Sequence, residues 1–197
     1  MLTLPRSTIR TRLLAIPQDP LLLTGSVRLN VDPLGHHSDY AIIRALEKVQ
    51  LWPNPLATRS SSAAISDAAS ADSSDITITA LSAPLHASPL SAGQAQLLAL
   101  ARAFLLKDSS PSPKILLLDE ATSSVDLATD KIVQAVLRAE FSGHTIISVA
   151  HRLETIMDAD VVVVLDQGRV VETGEPRALL RGEGVGAFRG LVGLAGQ

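Results

Sequence analysis

Residues 114–126 read KILLLDEATSSVD. Ile115–Leu118 is an unbroken apolar run of strand length, and such a run suits a strand covered on both faces at the centre of a sheet. Asp119 and Glu120 follow at its C-terminal end. In open α/β sheets the ligand crevice lies outside the carboxyl ends of the strands. One carboxylate buried there is costly, and two are more so, unless a cation or a proton-transfer task uses them. Two readings stand at this point. Either Asp119 orients Mg²⁺ through water while Glu120 polarises an attacking water, or both are solvated acids ahead of the next helix.

The pattern on either side predicts alternating helices and strands. Toward the C-terminus come a helix over about 128–140, a strand over 145–149 and a short helix over about 153–157. Val161–Leu165 and Val170–Glu172, joined by Asp166-Gln167-Gly168-Arg169, predict an antiparallel hairpin, and a last helix begins near Pro176. His151 follows a strand end, as Glu120 does. Toward the N-terminus, residues 91–107 predict a helix with Leu97, Leu98, Leu100, Ala101, Phe104 and Leu105 on apolar positions. Its first turn, Ser91-Ala92-Gly93-Gln94, is small and helix-poor, with Ser91 placed as an N-cap. Leu13–Ile16 predicts a short strand. Pro17 and Pro20 bar a helix after it, so Gln18 lies on a loop. Ser38 is placed to cap a helix over 38–51. Residues 53–88, rich in Ser and Ala, predict a flexible loop. Strands alternating with helices imply a mostly parallel α/β sheet with flanking helices and a terminal β-hairpin.

Composition excludes several classes. With 46% hydrophobic and 19% charged residues in 197, the chain can bury one sizeable core. A net charge of −3 gives no electrostatic footprint for nucleic acid. The absence of cysteine rules out disulfides and thiolate metal sites, and the five histidines lack metal-ligand spacing. No apolar run reaches the ~18 residues that span a bilayer. Arg6, Arg10 and Arg12 faintly suggest a transit peptide, but residues from 10 onward have another reading.

That reading comes from four stretches in order: IPQDP (16–20), LSAGQ (90–94), ILLLDEATSSVD (115–126) and SVAHR (148–152). Together they resemble the nucleotide-binding domain of ATP-binding cassette (ABC) transporters. The stretches match the Q-loop, the signature motif, the Walker B strand with its catalytic glutamate and D-loop, and the H-loop. RLLAIPQDPLLLTGSVRLNVDP, PLSAGQAQLLALARAFL and VVVVLDQGRVVETGEP are similar to the second, C-terminal cassette of the ABCC, or multidrug-resistance-associated, branch. The resemblance covers about residues 10–52 and 89–193. It implies a P-loop NTPase-like ABC ATPase fold, ATP and Mg²⁺ as ligands, and ATP hydrolysis coupled to transmembrane transport. It also implies a head-to-tail second nucleotide-binding domain and the transmembrane domains of an exporter as partners, with the cassette on the cytoplasmic face of a membrane. Residue by residue, it makes Glu120 the general base and His151 a γ-phosphate contact. Asp119 and Gln18 become Mg²⁺ and water ligands, and Asp126 a D-loop residue at the dimer seam. Leu90, Ser91, Ala92, Gly93 and Gln94 form the signature that meets the partner's ATP.

The chain departs from that family in one central respect. A phosphate-cradling loop needs G-x-x-x-x-G-K-[ST], and no Gly-Lys pair occurs in the sequence. The expectation is therefore an N-terminally truncated, incomplete cassette: residues 1–52 carry the Q-loop and the start of a helical subdomain, 53–88 the loop, and 89–197 the remaining motifs. It should be poorly soluble, with little ATPase activity and an exposed apolar edge on the Walker B strand. An alternative is a catalytically incompetent fragment that offers only its signature face to an intact cassette. A soluble ABC-type ATPase of DNA maintenance is disfavoured by the absence of heptads.

Overall fold

Leu13–Ile16 (β1) and Ile115–Asp119 (β2) run parallel in the computed structural model, with Leu14 opposite Leu116 and Ile16 opposite Leu118. The structure describes residues 4–52, 80–85, 90–107, 114–120, 125–149 and 156–195. Two compact units divide the chain, Met1–Ser148 and Val149–Gln197.

In the first unit, Thr145–Val149 (β3) completes a three-stranded sheet of order β1-β2-β3. The Thr145 amide donates to the Lys114 carbonyl at 2.9 Å and the Lys114 amide to that of Arg12 at 3.1 Å, so the three strands start together. Leu14, Ile16, Leu116 and Leu118 turn inward onto three helices: Asp39–Lys48 (α3), Ala92–Lys107 (α4) and Leu127–Glu140 (α5). Each of these helices begins where a side chain accepts an orphan amide. Ser38 Oγ accepts the Ala41 amide at 3.3 Å and Asp126 Oδ1 those of Ala128 and Thr129, both at 2.9 Å. The start of α4 belongs to the site below.

The structure adds two helices and corrects two expectations. Arg6–Arg12 forms an exposed helix (α1) behind Pro5, and Val27–Val31 forms a short helix (α2) that Ser26 caps through the Leu29 amide. Within the stretch expected to be a flexible loop, Ala80, Leu81 and Leu85 are buried. Backbone bonds from Val27 to Ala83 (3.0 Å) and from Leu85 to Gly25 (2.9 Å) hold that segment against the start of α2. Its two leucines supply the apolar surface that the surrounding Ser/Ala residues lack. The rest of that loop lies outside the described residues. Finally, β2 does not lose a neighbour. It is the central strand, with Leu116 wholly buried and Ile115 and Leu117 half-buried. The apolar edge falls on β3, where Ile146, Ile147 and Val149 are exposed.

The last residues of α3, α4 and α5 are stapled together. Glu140 Oε2 accepts Lys48 Nζ at 2.6 Å and Lys107 Nζ at 3.2 Å, and Lys107 also donates to the Glu140 carbonyl. A carboxylate at a helix C-terminus opposes the helix dipole, and the two ammonium groups offset that. The hydrogen bond from Lys48, then that from Lys107, holds the Glu140 carboxyl below its ordinary range. A depressed folded-state pKa contributes stability above the unfolded value, and that contribution is lost as pH falls through the folded value. Urea midpoints measured from pH 7 to pH 3 should therefore fall less steeply in Glu140→Gln than in the wild type.

The second unit is smaller. Val162–Asp166 (β4) and Arg169–Gly174 (β5) pair antiparallel with a bulge after Val164, and Pro176–Leu180 (α6) and Ala187–Ala195 (α7) follow. Val164, Leu179 and Phe188 form its core. The buried Glu172 carboxylate accepts the amides of Phe188 (2.6 Å) and Gly186 (3.0 Å), which hold its carboxyl below the ordinary range. A Cβ on Gly184 would lie 2.0 Å from Glu172 Oε1, so a larger residue there would have to displace the Glu172 carboxylate from its amide partners. The 182–186 glycine cluster is a turn between α6 and α7.

Candidate functional site

Parallel pairing of β1 with β2 brings their carboxyl ends to one edge of the sheet. Gln18 emerges two residues beyond β1, and Asp119 and Glu120 end β2, so the three predicted residues share that edge. Gln18 and Asp119 are exposed and Glu120 is half-buried. Glu120 has φ +48°, a left-handed conformation that costs a non-glycine residue about 1 kcal/mol or more. Such outliers persist where the surroundings fix them and cluster at functional sites. No feature of the sequence announces this one.

The signature residues form a cap. Ser91 Oγ accepts the Gln94 amide at 3.2 Å, and Gln94 Oε1 accepts the Ser91 amide at 3.0 Å. This reciprocal capping box satisfies two groups at the start of α4. It uses the Gln94 side chain locally but leaves the Ser91 hydroxyl proton for another acceptor. Ala92 is exposed, Leu90 half-buried and Gly93 buried. A Cβ on Gly93 would meet Thr129 Cγ2 at 3.0 Å and Oγ1 at 3.1 Å. The bare backbone at this position therefore serves a close approach of α5.

Thr129 also donates its hydroxyl to Asp126 Oδ2 at 2.8 Å. The Thr129 amide and hydroxyl, then the Ala128 amide, hold the Asp126 carboxyl below its ordinary range. Asp126 is thus an exposed cap on α5, hydrogen-bonded to the same Thr129 that packs on Gly93. The N-termini of α4 and α5 meet here, and both offer partial positive charge.

The signature helix is also tied to the Q-loop. Gln96, two residues past Gln94, is buried and donates its side-chain amide to the carbonyl oxygens of Pro17 (3.2 Å) and Gln18. Gln18, the acid pair, the signature turn and Asp126 are therefore linked through β1, β2, α4 and α5. His151 lies outside the described residues. Among the described residues no three His, Cys, Asp or Glu side chains group as a metal site, and no helix is long and apolar enough to cross a membrane.

No protein-family profile matches the chain. Individual relatives do. It is 45% identical over 181 residues to ABC multidrug transporter B of Aspergillus fumigatus, covering 92% of this chain and 11% of that one. It is 44% identical over 177 residues to ATP-binding cassette sub-family C member 2 of Rattus norvegicus, covering 89% and 10%. Metal resistance protein YCF1 of Saccharomyces cerevisiae is 44% identical over 172 residues, covering 87% and 10%. The chain thus spans about a tenth of the length of these curated relatives. Among solved structures, a bacterial Atm1-family ABC exporter with ATP bound superposes with a TM-score of 0.71 at 29% identity, covering 95% of this chain and 29% of that one.

Proposed function

This chain is related over nine-tenths of its length to ABCC-type ABC transporters and has the fold of part of an ABC exporter, and from that premise we propose that it is part of the ATP-hydrolysing cassette of a membrane exporter. The observation that carries the reading is the convergence at one sheet edge. The register of Ile16 with Leu118 aligns Gln18 with Asp119 and Glu120, and Gln96 fastens the signature helix to the same loop.

In this reading Glu120 is the general base toward the attacking water, and its left-handed backbone sets the direction of its carboxylate. Asp119 and Gln18 offer hard oxygen donors. A Mg²⁺ site with one or two protein oxygens, completed by phosphate and water, is the kind such a pair can make. The ion would supply charge neutralisation on the phosphates. His151 would contact the γ-phosphate. Ser91, Ala92 and Gly93, with Leu90 and Gln94 flanking them, present a hydroxyl proton and helix N-terminal amides to ATP gripped by a second cassette, and Asp126 lies at that seam. Leu21 and Leu22 are exposed beyond Gln18 and would face the transmembrane domains on the cytoplasmic side of a membrane.

A second reading has its own support. In it these 197 residues, which hold no Gly-Lys pair, serve only as the signature-bearing half of a composite site. Adding the purified chain to an intact ABCC-type cassette separates the readings from a bystander. Phosphate release from Mg-ATP should rise above that of the cassette alone, while the chain by itself should release none. An unchanged rate contradicts the cassette reading. Turnover by the chain alone, lost in Glu120→Gln, contradicts the half-site.

A further inference from the structure

Arg102, on α4, is half-buried, yet its hydrogen bonds go to main-chain carbonyls and an amide rather than to a carboxylate. Nη1 donates to the Leu21 carbonyl at 2.7 Å, Nε to that of Asn30, and Nη2 reaches Asn30 Oδ1 at 3.4 Å. Burial lowers its pKa. A half-buried cation with no carboxylate partner among the described residues still carries a desolvation cost, so its position needs a reason. Asn30, wholly buried, exchanges two bonds with the Leu23 main chain, both 2.8 Å, and donates to the Ser26 carbonyl at 3.0 Å. Six residues toward the N-terminus of α4, Gln96 donates to the carbonyls of Pro17 and Gln18. Two side chains of one helix therefore grip both ends of the segment 17–30 by its carbonyls.

We propose that Gln96 and Arg102 are positioning residues that lock the Gln18 loop onto the signature helix, so that Gln18 and Ser91 move as one body. The inference deepens the functional reading above and rests on it for the roles of Gln18 and Ser91. The lock itself depends only on donors. Both side chains act on main-chain acceptors, so the side chains of residues 19–22 are free to vary with a docking partner while the loop path is kept. A glutamate at position 96 would keep the volume and turn donors into acceptors facing two carbonyls. A lysine at 102 would keep the charge and lose the fork that spans Leu21 and Asn30.

The chain has no cysteine, so spin labels at Asp19→Cys and Leu106→Cys report the distance from loop to helix alone, without nucleotide. The expected result is one narrow distance in the parent, and a longer, broader distribution in both Gln96→Glu and Arg102→Lys. Amide exchange at the non-proline residues of 17–25 should rise about tenfold, as for one lost hydrogen bond, with exchange in β2 and α5 unchanged. An unmoved distance, or exchange that quickens equally in every element with the mean distance kept, overturns the proposal and leaves only a role in fold stability. Because no ATP or second cassette is present, failure here is separate from failure of the stimulation experiment.

Discussion

Phe141→Ala is expected to cost about 3–5 kcal/mol of unfolding free energy, the range for a large buried aromatic. Phe141 follows the last residue of α5 and is 1% exposed. Its ring stacks on Phe104 of α4 with centroids 5.4 Å apart and meets His144 edge-on at 5.3 Å. Lys107 lies 5.7 Å above both Phe rings, beside the Glu140 staple. Truncation removes the aromatic contact and the surface under the ammonium group together, leaving a cavity between helices that the sheet cannot close. Domains are stable by only about 5–15 kcal/mol, so this change would take a large share. Urea unfolding followed by circular dichroism checks it. A loss under about 1 kcal/mol, the surface-like range, would show that the helix C-termini do not pack as described.

Ser91→Arg is expected to abolish the stimulation of an intact cassette, whereas Glu120→Gln in this chain should leave it in place. The asymmetry follows from the geometry of a composite site. The signature turn acts on ATP held by the other chain, and the general base that serves that ATP also belongs to the other chain. Ser91 caps α4 at a point where Ala92 is exposed and the helix N-terminus is open to an anion. An arginine there fills that opening. It also replaces the cap, which costs roughly 1 kcal/mol, so Ser91→Ala is the companion variant. It loses the same cap without the bulk, and should retain part of the stimulation. Equal stimulation by wild type and Ser91→Arg contradicts the signature reading.

Much of the first unit was legible because local rules and packing agree there. Leu13–Ile16 and Ile115–Leu118 read as strands and lie in strands. Ser38 and Ser91 read as caps and accept the expected amides. What escaped reading depends on distant partners. The left-handed φ of Glu120 has no residue-type signal, since glutamate rarely adopts it. Gln96 and Arg102 read as ordinary positions of a mainly apolar helix, and their acceptors are carbonyls 72 to 81 residues away, which carry no sequence mark. The exposed edge was expected on β2, because strand order cannot be read from a run of leucines. The structure gives it to β3. Gly93 was read for its bare backbone toward a phosphate; its closest structural demand is Thr129.

The central question is whether this chain completes a nucleotide site with another cassette. Sedimentation velocity of the chain mixed with an intact ABCC-type cassette, whose own catalytic glutamate is changed to glutamine to prevent turnover, measures that directly. A one-to-one complex should form with Mg-ATP, be absent with Mg-ADP, and be lost in Ser91→Arg. No complex with Mg-ATP, or a complex indifferent to both nucleotide and Ser91→Arg, would contradict the account.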